Sequence, residues 1–176
     1  FPDAVIVRPS IVFGPEHDFF NRFGQMAARS PALTLIGGGH TRFQPVYVGD
    51  LAAAIAQAAV SEAFAGQTVE LGGPAVYDFK ALMAFVCTET GRKRILAPLA
   101  VALAGLIGMA GDLAGMFIAP PITSDQVELL RTDNVASGEG LAAFGITPKS
   151  IEAVVPAYLY RYRKGGQYAE TPEGAY

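Results

Sequence analysis

Apolar residues along the chain recur with two periods. Ala4 to Arg8 is a β-branched run that reads as a strand buried on both faces, as in parallel sheets. Gly14-Pro15 ends that segment. Asp18 is placed to cap a helix whose apolar side carries Phe19, Phe20, Phe23, Met26 and Ala27, with Ser30-Pro31 as its stop. Leu33 to Ile36 forms a short strand running into Gly37-Gly38-Gly39, and Gln44 to Val48 is extended again. Asp50 then caps an Ala-rich helix to about Phe64, closed by Gly66. Thr68 to Leu71 is a strand that ends in Gly72-Gly73-Pro74. Asp78 starts a helix with Phe79, Leu82, Phe85 and Val86 on one stripe and Gly91 as its stop. Strands alternating with helices indicate an α/β layout.

The later part of the chain is more apolar. No residue from Ile95 to Gly111 is charged, and Leu113 to Pro121 is apolar again. A membrane span needs roughly 20 apolar residues, and the glycines and prolines of this stretch weaken that reading. Residues 95–119 are therefore expected to form an amphipathic or buried helix. Thr123 or Ser124 caps a helix from Asp125 to Leu130. Thr147-Pro148 opens the last helix, a cap followed by proline at the first helical position. There Ile151, Val154, Val155, Tyr158, Leu159 and Tyr162 keep helical spacing, and Pro156 is a kink point. Gly165 to Tyr176 reads as extended. No internal repeat is visible.

Composition narrows the class. At 51% hydrophobic and 16% charged, with 20 Gly and 12 Pro over 176 residues, the chain can bury a core and fits one domain or a large piece of one. A net charge of -3 argues against a nucleic-acid partner. The run from Tyr160 to Lys164 is the one basic stretch with interleaved aromatics. The single cysteine, Cys87, permits no internal disulfide or Cys-based zinc site and fits a reducing compartment. Two histidines, His17 and His40, are too few for a His-rich metal site and have no carboxylate or Ser partner nearby. No metal ligands and no catalytic residues are assigned.

Two motifs mislead. Gly105, Gly108 and Gly111 match a loose dinucleotide-binding spacing, but that loop works only after a strand. Inside a Leu/Ala helical stretch, these glycines and the Gly111/Gly115 pair serve close helix packing. Tyr160 and Lys164 copy the spacing of a Tyr/Lys acid-base pair, yet their setting is a solvated or partner-facing surface. Cys87, on the apolar side of its helix, reads as core.

The chemistry-bearing segments are "AVIVRPSIVFGPE" and "TRFQPVYVGDLAAAI". Their order and spacing resemble the extended and atypical short-chain dehydrogenase/reductases, the superfamily of nucleotide-sugar epimerases and dehydratases. There a late parallel strand ends in an Arg-Pro-x-x-Val-aromatic-Gly-Pro turn beside the nicotinamide. The match carries over as Arg8, Pro9, Ser10, Ile11, Val12, Phe13, Gly14 and Pro15. A Pro-Val-aromatic-Val-x-Asp segment then opens a substrate-domain helix, here Pro45, Val46, Tyr47, Val48 and Asp50, preceded by Gln44. The stretches "PPITSDQVELLRTDNV" and "FGITPKSIEAVVPAYLYRYRKGGQY" resemble one branch, that of the dehydrogenase-like accessory subunit of respiratory complex I.

The resemblance implies the following. The fold is α/β, the C-terminal part of a Rossmann-type fold with its small substrate-side subdomain. Residues 1–16 supply the late strand and cofactor-side turn, and 17–176 the substrate-side region. The glycine-loop half, the ribose selector and the Tyr-x-x-x-Lys position are expected to lie outside these 176 residues. The cofactor is NAD or NADP, bound by the full-length protein. Pro9, Ser10, Ile11 and Val12 flank the nicotinamide, with Pro9 leaving nearby backbone groups free for its carboxamide and Val12 offering an apolar face. Phe13, Phe19, Arg22, Arg42 and Tyr47 are substrate-side candidates. The two arginines either hold an anionic small-molecule substrate or are surface and ion-pair residues. Two functions stay open: an NAD(P)-dependent epimerase, dehydratase or oxidoreductase, inactive without its other half, or a non-catalytic NAD(P)H-binding structural or assembly factor. The second has a membrane surface or respiratory complex as partner. Both fit a cytoplasmic protein, peripheral at the inner membrane in the second case.

Overall fold

The computed structural model describes residues 1–99 and 130–166. Strand β1 (Ile6–Pro9) pairs parallel with β6 (Thr68–Leu71), and β2 (Val12–Phe13) pairs parallel with β5 (Val46–Tyr47). One extended segment thus runs along two partners in turn. Ser10 N–H donates to Leu71 O (2.9 Å), the last bond toward β6, and Val46 N–H donates to Ile11 O (2.9 Å), the first toward β5. A second parallel pair joins β3 (Ala32–Ile36) to β8 (Ile95–Leu99), with Ala32 opposite Ile95 and Ile36 opposite Leu99. An antiparallel contact joins β4 (Arg42–Phe43) to β7 (Tyr77–Asp78). The α/β class with parallel strands is the one expected.

Helix α1 (Asp18–Arg29) and α3 (Phe79–Glu89) pack with β3 and with a C-terminal helical stretch made of α4 (Ile151–Val154) and α5 (Pro156–Leu159). Val155 separates the last two, so Pro156 breaks the helix where its missing N–H and its ring require. The core between them holds Phe13, Phe20, Phe43 and Phe79, each at most 2% exposed. Their rings meet edge-on, as in Phe13–Phe20 at 5.9 Å and Phe43–Phe79 at 6.3 Å. Each such ring contributes about 1.5–3 kcal/mol by leaving water. A second core lies under α2 (Val48–Val60), where Val46, Leu51, Ala54, Ala58 and Leu71 meet Leu141 and Phe144. Gly37, Gly38 and Gly39, all at positive φ, turn the chain out of β3, a conformation L side chains resist.

Several sequence expectations change. The first strand is Ile6–Pro9 and is not buried on both faces: Ile6 is 51% exposed, because among the described residues β1 has β6 alone beside it. Asp18 is the first helical residue rather than the cap, and His17, at the cap position, makes no side-chain capping bond. Asp50 lies within the first turn of α2, and the cap position belongs to Tyr47. That helix stops at Val60, and Glu62–Phe64 is a separate 3-10 turn. Asp78 does cap α3, accepting from Ala81 N–H. The final helix starts at Ile151, capped by Ser150 accepting from Ala153 N–H (3.3 Å), rather than at Thr147-Pro148.

Residues 95–99 are strand where helix was expected. The β3 edge offers hydrogen-bond partners that a propensity reading cannot see. The remainder of the 95–119 helix, the glycine pattern at 105–115, the helix from 125 and the extended tail beyond Gly166 lie outside the described residues. No helix among those described is long and apolar enough to cross a membrane.

Candidate functional site

The parallel strands β1 and β6 end side by side at Pro9 and Leu71, and β5 begins where they stop, alongside the Pro9–Pro15 segment. This is where open α/β sheets bind ligands. The close approach needs glycine. A Cβ at Gly73 would fall on the Pro45 carbonyl oxygen, and one at Gly72 on the Gln44 side chain. Gly73 N–H donates to Gln44 O (3.2 Å), so the end of β6 lies directly on the approach to β5.

A closed polar knot sits behind the turn. The buried Ser10 hydroxyl donates to Asn134 O (2.6 Å) and accepts from Gln44 N–H (3.1 Å). Gln44 Nε2 donates to Gly73 O (2.7 Å), and its Oε1 accepts from Ala136 N–H (3.1 Å). Asn134 N–H donates to Arg42 O (2.8 Å). The expectation that Pro9 leaves neighbouring backbone groups open for a carboxamide is therefore corrected. Ser10 N–H, the Ser10 hydroxyl and Ile11 C=O are each already engaged, because the segment changes strand partner at this point. What remains for a ligand is apolar: Pro9 is exposed, and Ile11 and Val12 are half-buried. A phosphate-binding glycine loop at a helix N-terminus is not found among the described residues.

The substrate-side candidates divide. Phe13 is 1% exposed and belongs to the core, so it presents no surface to a ligand without repacking. Tyr47, half-buried against it at 5.8 Å, has Lys149 Nζ over its ring at 5.0 Å, a cation–π distance. Phe19 is half-buried among Phe20, Phe23 and Phe43. Arg22 is half-buried on α1. Arg42 is exposed and forked onto Asp133, with Nη2–Oδ2 at 2.8 Å and Nε–Oδ2 at 2.8 Å. Hydrogen bonds from the Arg42 backbone and side chain hold the Asp133 carboxyl below its ordinary value. The ion-pair reading of Arg42 is the one its geometry matches.

Gln44 and Asn134 matter more than the sequence alone indicated. Gln44 stands in the quoted motif and was a readable signal. Asn134 also stands in a quoted stretch, but nothing there indicated its role, which is exercised by backbone atoms from 124 residues away. Asp50 is 7% exposed and accepts from Lys149 N–H (2.7 Å), tying α2 to the segment that carries Lys149. Cys87 is half-buried on α3, and burial pushes its thiol up, away from the reactive thiolate. Tyr160 and Lys164 are exposed, as expected of a surface pair. No group of three potential metal ligands occurs among the described residues.

This fold, with the motif residues placed along it, is that of the extended and atypical short-chain dehydrogenase/reductases. Within that class, the chain falls in the branch related to the dehydrogenase-like accessory subunit of respiratory complex I. No family model matches the chain. The Arabidopsis thaliana protein named NADH dehydrogenase (ubiquinone) 1 alpha subcomplex subunit 9, mitochondrial, is 34% identical over 174 residues, covering 94% of this chain and 43% of that protein. The 40 kDa subunit of mitochondrial NADH-ubiquinone oxidoreductase from Neurospora crassa is 28% identical, covering 98% and 45%. Among solved structures, Thermus thermophilus UDP-glucose 4-epimerase in complex with NAD superposes with a TM-score of 0.62 at 19% identity. That match covers 91% of this chain and 46% of the epimerase chain and shows the fold. The chain thus spans less than half the length of these relatives.

Proposed function

We propose that this chain is the C-terminal, substrate-side portion of an NAD(P)-binding protein of the epimerase/dehydratase type. Residues 1–16 supply the cofactor-side strand and turn, and residues 17–176 the substrate side. The observation that carries this reading is the Pro9–Pro15 segment, which passes from the C-terminal ends of β1 and β6 to the start of β5. Pro9, Ile11 and Val12 pack against the nicotinamide end of the dinucleotide, while Ser10 holds the turn through Asn134 and Gln44. When bound, the nicotinamide supplies hydride transfer. Tyr47, with Lys149 over its ring, and Phe19 and Arg22 line the substrate side, and Arg42 holds Asp133. The pyrophosphate is bound by the glycine-loop half, so the chain by itself is inactive.

Calorimetric titration with NADH and NADPH tests this. The 176-residue chain is expected to bind more weakly than ~1 mM, about -4 kcal/mol. Joined to a glycine-loop half, it gains micromolar affinity, since most of the affinity comes from the phosphates at a helix N-terminus. Micromolar binding by the chain alone overturns the division of labour.

A second reading has a specific observation behind it: the curated relatives carry the names of respiratory complex I subunits. On this reading the full-length protein binds NAD(P)H without turnover, as a structural or assembly factor peripheral to the membrane. A Tyr/Lys acid-base pair in the remainder of the protein separates the two, since its loss favours binding over catalysis.

A further inference from the structure

The fold gathers cations that the sequence keeps apart. Arg92, Lys93 and Arg94 follow α3, Arg29 ends α1, and Arg161, Arg163 and Lys164 end the C-terminal helical stretch. Hydrogen bonds place them together. Arg94 Nε donates to Ala27 O (2.7 Å), Arg163 Nε to Glu89 O (2.7 Å) and Arg92 Nε to Tyr162 O (3.0 Å). Arg161 Nε donates to Tyr158 O (2.8 Å). Each acceptor is a carbonyl at the C-terminal end of a helix or helical turn, where the dipole favours a cation. Ile95 N–H donates to Pro31 O (3.2 Å), which brings Arg29 beside Arg94.

Seven of the chain's 13 Lys and Arg residues thus meet at one end of a molecule whose net charge is -3. Among the described residues Glu89 is in contact with them, buried against Arg163 at 3.5 Å. Arg29, Lys93, Arg161 and Lys164 are exposed. Two large apolar side chains stand among these cations in the open, Ile95 at 70% exposure and Tyr160 at 40%. The chain leaves this end through β8, Ile95–Leu99, which carries no charge.

From this juxtaposition we infer that the end bearing Arg29, Lys93, Arg161 and Lys164 is a docking surface for an anionic phospholipid bilayer, with Ile95 and Tyr160 entering the headgroup layer. The inference rests on the second reading above and names the surface it requires. Clustered Lys and Arg attract anionic lipid, each adding roughly fivefold to binding near the surface. An exposed aromatic and an aliphatic side chain beside them suit the polar–apolar boundary. A soluble anion would use the cations and leave Ile95 and Tyr160 in water.

Sedimentation with vesicles tests it, using the 176-residue chain. Vesicles are of phosphatidylcholine alone or with about a third phosphatidylglycerol. Binding is expected to the anionic vesicles only and to fall as salt rises from about 50 mM to about 500 mM. The triple substitution Arg29→Glu, Lys93→Glu, Lys164→Glu should lower partitioning at least about tenfold. The charge-matched triple Arg8→Glu, Lys80→Glu, Lys149→Glu should lower it less than about threefold. A milder set, Arg29→Gln, Lys93→Gln, Lys164→Gln, gives the same ranking if the reversal unfolds the chain. Equal losses in both triples overturn this surface while leaving the membrane reading intact. No preference for anionic vesicles overturns both. Tighter binding to a single-stranded oligonucleotide than to the vesicles makes the occupant a nucleic acid and overturns the proposal.

Discussion

Ser10 stands where the first extended segment leaves β6 and joins β5, and both faces of its hydroxyl are used there. Replacing it with alanine removes one partner each from the Asn134 carbonyl and the Gln44 N–H, which keep their bond to each other (3.1 Å). Ser10→Ala is expected to cost about 0.5–1.5 kcal/mol, read as a lowered urea midpoint with an unchanged denaturant slope. An unchanged midpoint would mean that water replaces the hydroxyl. Glu89 and Arg163 form the other residue-scale lever, with side chains 6% and 9% exposed. Burial pushes the Glu89 carboxyl up, and Arg163 opposes that shift. Because its folded value lies above the unfolded one, stability from Glu89 is full below the unfolded value and is lost as pH rises through the folded one. Arg163→Met removes the opposing charge and enlarges the shift. Its deficit against the parent should therefore grow from about pH 4 to about pH 7, reaching about 3 kcal/mol. A deficit independent of pH would show that the arginine serves only the Glu89 carbonyl.

At the scale of elements, β1 and α2 leave an open groove of about 450 Å³ between them, lined by Val5, Val7, Ile55 and Val60 together with Asp3, Ser61 and Glu62. Ile6 and Val60 stand beside and within it at 51% and 86% exposure. An unpaired strand edge with apolar neighbours invites pairing with another copy. Ile6→Lys with Val60→Lys should raise the concentration at which the chain stays monomeric in sedimentation velocity, with little change in melting temperature, since neither side chain is in the core. Unchanged association would place the sticky surface elsewhere. The rule that makes β1 an edge also moved the end of the β3 ladder. Ile95 to Leu99 is apolar enough for either a strand or a helix, and the free edge of β3 decided it.

At the scale of the whole molecule, the two cores divide the work. One packs α1, α3 and the C-terminal helices around the phenylalanines, and the other packs α2 against β5 and β6. The Pro9–Pro15 segment gives Phe13 to one and packs Val12 on the other, so a ligand there would stabilise the assembly only as far as it binds. With a dissociation constant of ~1 mM or weaker, 1 mM NADPH adds at most about 0.4 kcal/mol. The melting temperature of the chain should therefore rise by less than about 2 °C. A larger rise in differential scanning calorimetry would assign the chain more of the dinucleotide than the nicotinamide end.

Much of this was legible in the residues themselves. The β-branched run at Val5 to Val7, the amphipathic stripe of α1, Asp78 as a cap and Pro156 as a break are local matters, settled by backbone sterics and hydrogen-bond supply within a few positions. The Arg-Pro and Pro-Val-Tyr segments pointed to the family for the same reason. Tertiary structure decided whatever depends on a distant partner. Asp50 is drawn from capping to Lys149 N–H, 99 residues away, and Ser10 from a ligand to Asn134 O. Phe13 is taken into the core by Phe20, and Arg42 is held at the surface by Asp133. The cations of three separate segments share one end because three helices finish there. Local propensity is worth tenths of a kcal/mol per residue, whereas a buried hydrogen bond or ring outweighs it several times over, and those partners are named only by the fold.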